Sequence, residues 1–161
     1  MSNEISWALE LLKILPTLII GLVAAFIAWQ QAQISKEQKR IAQAKLKLDL
    51  FVKRLAVYKD VYRLVEFGKN LKDIKEGIAA AKQLIELAHE ATFLFGDDIT
   101  ELIEKSGLAI IDLANGIKAT ADNENVVPAP VMPSVQTASE HFKNLDVETV
   151  FRPYLDLSQW K

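Results

Sequence analysis

Ile14 to Trp29, ILPTLIIGLVAAFIAW, is a run of sixteen residues without a charge, and the uncharged stretch continues to Ser35 before Lys36 ends it. Three readings compete: a membrane span, a cleaved signal and a buried core helix. As a helix the run rises about 24 Å, short of a hydrocarbon core of roughly 30 Å. The flanks make up the difference. Trp7 and Trp29 stand 22 residues apart, about 33 Å of helix, which puts one indole at each membrane interface. Lys13, just outside the run, can snorkel to the headgroups. A signal peptide fits poorly, because MSNEISWALELL carries two Glu and no basic residue. The expected layout is a short extracytoplasmic N-terminus over 1–12, a transmembrane helix over 13–33 and a cytosolic helical domain over 34–161.

Direction comes from Lys and Arg. Lys36, Lys39, Arg40, Lys45 and Lys47 follow the run, against Lys13 before it. The positive-inside rule then puts the C-terminal body in the cytoplasm, with the span in a bacterial inner membrane. Trp7, Trp29, Lys36 and Lys39 are the expected interface residues. Anionic lipid headgroups are the expected partners of the basic residues over 36–47, at about 1 kcal/mol for each charge near the surface.

The net charge of −2 hides a division. Residues 36–75 hold twelve basic and five acidic side chains, and residues 76–161 hold six and fourteen. A basic first helix packing on acidic later helices of its own chain is the simplest consequence. From Ile41 the apolar spacing is 3-4: Ile41, Ala44, Leu48, Phe51, Leu55, Tyr58, Tyr62, Val65. A second stripe runs through Leu46, Leu50, Val57, Val61 and Leu64, so the helix should touch at least two neighbours. A parallel homo-oligomeric coiled coil through the first stripe would set Arg40 against Lys45 and Arg54 against Lys59, like against like. Homo-oligomer formation stays open only if an anion fills that gap. Arg40, Lys47 and Arg54, with Lys45 and Lys59, are the candidate anion site, for which a small phosphate ligand is the alternative to an internal carboxylate such as Asp97, Asp98 or Asp156.

Beyond a turn at Gly68–Asn70, a second series runs Leu71, Ile74, Ile78, Ala81, Ile85, Ala88, Thr92, Phe95, with Gly96 as its stop. Asp98–Glu101 reads as a capping box opening a third, Ile99, Ile103, Ser106, Ile110, Leu113, Ile117. Pro-rich 121–133 is a loop. Ser134 is expected to cap a fourth helix with Val135, Ala138, Phe142 and Leu145 on one face, fading near Phe151 before Pro153. The apolar tail, including Tyr154, Leu155, Leu157 and Trp160, should dock on the bundle. The fold class is all-α: one transmembrane helix followed by an antiparallel bundle of about four helices.

Catalytic motifs are absent. There is no cysteine, no phosphate-binding loop and no dinucleotide fingerprint. Glu86 and His89 have a metal-ligand spacing that a di-metal bundle would need twice. An enzyme, a cofactor and a metal are therefore not expected. Duplex nucleic acid is not expected either, because acids interleave with the basic residues and the helix must bury an apolar arc.

LKLDLFVKRLAVYKDV (Leu46–Val61), FLFGDDI (Phe93–Ile99) and PYLDLS (Pro153–Ser158) together resemble an uncharacterised family of small bacterial single-span membrane proteins. The resemblance implies topology and no activity. The first reading is thus a non-catalytic bitopic protein whose helical body binds a partner or senses a signal. The second is by analogy of architecture: an oligomeric membrane effector of antiviral defence, gated by a cyclic oligonucleotide at the basic helix.

Overall fold

The computed structural model describes residues 2–123 and 126–156, with side chains from Leu15 onward. The described residues form five helices: α1 (Ser2–Lys69), α2 (Ile74–Leu94), α3 (Asp97–Asp122), α4 (Met132–Asn144) and α5 (Val147–Leu155). The chain divides into two compact units, 1–46 and 47–161. The all-α expectation holds.

In the first unit, α1 is the one helix among the described residues long and apolar enough to cross a membrane, judged by length and composition. Its described apolar side chains are exposed: Leu18, Ile20, Leu22 and Phe26 are all more than half exposed, which is unlike a core helix, where such side chains are hidden from water.

The second unit has its own core. Val57, Val61, Leu64 and Val65 from the end of α1 join Leu84 of α2, Ile99, Ile103 and Ile110 of α3, Phe142 of α4 and Phe151 of α5. The stripe through Val57, Val61 and Leu64 is the one buried. The other stripe expected to pack does so only in part, for Ile41 and Leu48 are 64% and 58% exposed and Tyr62 is 46% exposed.

α2 departs from its expected seam by a rotation. Gly77, Ala80, Ala81, Leu84, Ala88 and Ala91 are inside, while Ile78 and Ile85 face out. Small side chains win the interior because α2 lies close against α3. A Cβ on Gly77 would stand 3.3 Å from the Ala114 Cβ, and one on Gly107 would stand 3.5 Å from the Ala81 carbonyl oxygen. These pairs, 77 with 114 and 81 with 107, run in opposite directions from the Phe95–Gly96 turn, so the two helices are antiparallel. Gly116 against Val135 and Ser106 against His141 do the same for α3 and α4 across the loop.

Helix ends correct several expectations. α1 continues through Gly68 to Lys69, and Gly68 is a close approach rather than a turn, with a built Cβ only 3.0 Å from both Ile110 Cγ1 and Phe142 Cζ. The side chain of Asp73 accepts from the Glu76 amide at 3.0 Å and caps α2. The capping box expected at Asp98–Glu101 does not form: Gly96 is the N-cap of α3 and Asp98 already lies in its first turn. α4 opens two residues before Ser134, with Pro133 in its first turn, where a missing N–H costs nothing. The fourth series breaks at Leu145 into two helices. Asp146 caps α5, accepting from the Thr149 amide at 3.2 Å, and α5 runs through Pro153 to Leu155. Tyr154 and Leu155 dock on the core as expected; Leu157 and Trp160 lie outside the described residues.

Candidate functional site

The basic residues singled out from the sequence all lie on α1. Lys36, Lys39, Arg40 and Lys45 belong to the first unit, and all four are exposed. Lys47 and Lys59, in the second unit, are exposed too, and about 18 Å of helix separates them. One anion of phosphate size cannot bridge that distance. Trp29 is exposed and its ring lies 6.1 Å from that of Phe26, tilted by 35°. The side chain of Trp7 lies outside the described residues.

Arg54 differs from the others. It is half-buried, and Nε–H donates to the Leu94 carbonyl at 2.7 Å while Nη1 reaches the Tyr154 carbonyl at 3.4 Å. Its guanidinium carbon sits 5.6 Å from the Phe95 ring centroid and 5.8 Å from that of Tyr154. Both carbonyls stand at helix C-termini, where the dipole is negative and a cation is favoured. Phe95 and Tyr154 also meet edge to face at 5.4 Å, and Phe95 meets Phe151 at 5.2 Å. Arg54 therefore ties the ends of α2 and α5 to α1. Of the three carboxylates considered from the sequence, Asp97, Asp98 and Asp156, Asp98 accepts the Tyr154 hydroxyl at 2.7 Å. That bond and partial burial hold the Tyr154 hydroxyl above its ordinary pKa.

The histidines were weighed for metal and for nucleophilic chemistry. The exposed His89 has Nδ1 2.8 Å from the Ile85 carbonyl oxygen in its own helix. No group of three metal-ligating side chains occurs among the described residues. Ser106, fully buried, donates its hydroxyl proton to the Leu102 carbonyl at 2.8 Å. The same oxygen stands 3.0 Å from His141 Nε2, within hydrogen-bond distance. Burial, with Lys105 nearby, lowers the pKa of His141. The pair is a polar pin between α3 and α4.

No family model, curated protein or solved structure matches the chain. Function has to be read from its own chemistry.

Sequence reasoning found Arg54 through its place between two apolar stripes. It missed the carbonyl partners, because helix ends supply them and only the fold brings those ends together. It also missed the glycines at helix contacts. The available signal was the spacing of Gly68, Gly107 and Gly116, which sit inside helical periods where no turn is needed.

Proposed function

We propose that the protein is a single-pass membrane protein whose separate helical body works by binding a partner or sensing a signal, without catalysis. The observation that carries this reading is a long apolar helix whose described side chains in the first unit are exposed, while the second unit has a core of its own. Burying that helix in lipid removes from water a surface that no described residue hides. The Lys and Arg residues from Lys36 to Lys47 orient it with the body in the cytoplasm of a bacterial cell, and anionic headgroups meet them at the inner-membrane surface. Reporter fusions after Lys161 test the orientation. A reporter that works only in the cytoplasm is the expected result, and one active only outside it overturns the assignment.

A second reading is favoured by the first unit. Ile27, Ile34 and Ile41 recur at seven-residue intervals, and all three are substantially exposed. Copies assembling along this line would bring Arg40 and Lys45 of neighbouring chains together, and an anionic cyclic oligonucleotide would relieve the repulsion. The protein would then be a membrane-perturbing effector of antiviral defence. The chain has no cysteine, so Ile41→Cys introduces a single thiol. Oxidation in vesicles should trap dimers, more so with the nucleotide added; monomers under both conditions eliminate this reading.

A further inference from the structure

A cleft lies in the second unit, where the end of α1 meets α3, α4 and the loop before α4. Its volume is about 770 Å³, within the usual range of small-molecule sites. Leu71, Leu113, Ile117, Val127, Val135 and Phe142 supply apolar walls. Two glycines shape the floor. Gly68 packs directly on Ile110 and Phe142, and Gly116 is so close to Val135 that a Cβ would clash with it. Backbone meets side chain there, and the space opens above the contact.

Charge makes the cleft more than an apolar dent. Lys69 and Lys143 line it, and none of its thirteen lining residues is acidic. This is against the local trend, since residues 76–161 carry fourteen acids and six bases. Lys69 is ion-paired with Glu66 at 2.6 Å, and Lys143 stands in the last turn of α4. Ser139 adds a hydroxyl. The occupant these features select is apolar over most of its length and carries one negative group. A nucleotide would set a polar sugar against aliphatic walls and bring more charge than these ammonium groups offset. A neutral lipid would offer no anion to Lys143, the lining ammonium at the end of α4.

We propose that this cleft binds a long-chain fatty acid, the hydrocarbon lying along Leu113, Ile117 and Val135 and the carboxylate meeting Lys143 and Lys69. The charge-assisted hydrogen bonds fix orientation, and the apolar walls supply affinity. The site lies wholly within the second unit, so it stands whether or not the membrane orientation above is right.

The test uses the full chain in phosphatidylcholine nanodiscs with a diazirine-bearing palmitate as photoprobe, adducts being mapped by peptide sequencing. Adducts are expected in 113–121 and 135–143, and palmitate should compete on the order of tenfold better than its uncharged methyl ester. The double variant Lys69→Glu, Lys143→Glu should lose that preference while keeping its melting temperature. Ser139→Trp should block labelling of the cleft and leave adducts in the bilayer segment untouched. Adducts confined to 15–35, which report only dissolved probe, overturn the proposal. Equal competition by acid and ester overturns it as well. So does labelling that appears only once 157–161 are deleted, which would make the chain's own tail the occupant.

Discussion

Gly96 shows how much one hydrogen atom in place of a methyl group can decide. Its backbone is extended, with φ −85°, so any residue could adopt the conformation and strain is not the issue. Space is. A Cβ would fall 2.7 Å from Asp98 Oδ1 and 2.9 Å from the Tyr154 hydroxyl, between the two partners of the bond that fastens α5 to α3. Gly96→Ala should therefore destabilise the protein by about 1–3 kcal/mol. Gly21→Ala, where nothing lies within 4 Å, should change stability by less than about 0.5 kcal/mol. Urea denaturation of both variants, followed by circular dichroism, makes the comparison.

His141 gives the fold a pH dependence whose sign is fixed. Its pKa in the folded chain is lowered from 6.5 by burial and by Lys105, so the unfolded chain binds the extra proton more readily. The stabilisation is fully present above pH 6.5 and is lost as pH falls through the lower folded value. His141→Gln should flatten the stability profile in that window. Asp146 acts lower on the scale, because hydrogen bonds from Thr149 depress its pKa below 3.8; its contribution fades only in stronger acid. Denaturation midpoints measured from pH 8 to about pH 2 separate the two. A wild-type profile that stays flat from pH 7 to pH 5 would refute the role given to His141.

The helices were legible in the sequence to differing degrees, and the differences have causes. α3 buries Ile99, Ile103, Ser106 and Ile110 as its spacing predicts, because it is packed by α2 on one side and α4 on another. α2 misled, since hydrophobicity favours Ile78 and Ile85 over alanine, whereas the close contact with α3 buries mostly small side chains, with Leu84 set over the space at Gly107. The expected cap at Asp98 fails because its carboxylate accepts the Tyr154 hydroxyl from another element, and Gly96 is the N-cap of α3. The start of α2 was not read from the sequence; there Asp73 caps, with Glu76 three residues on. Asp73→Ala should cost about 1 kcal/mol, while Asp73→Asn should recover most of it. Equal losses in both variants would show that the side chain acts by charge rather than by accepting the Glu76 amide.

For the molecule as a whole, the decisive fact is how its hydrophobic surface is divided. Among the described residues every buried core side chain falls between Val57 and Phe151, whereas Leu15, Leu18, Ile20, Leu22, Phe26 and Trp29 of α1 are exposed. A core confined to one compact unit needs nothing from the other to satisfy it, so the fragment 47–161 should fold alone. Expressed without the first unit, it should be soluble without detergent and helical, and should unfold in one cooperative transition. Leu84→Ala or Phe151→Ala in that fragment should lower its stability by about 2–5 kcal/mol, since both side chains are fully buried. The same substitutions in the full chain should cost the same amount, because the core they cut into lies within the second unit. If the fragment aggregates or melts without cooperativity, residues 1–46 complete the core, and the bare surface of α1 would have to be reread as the other half of an interface.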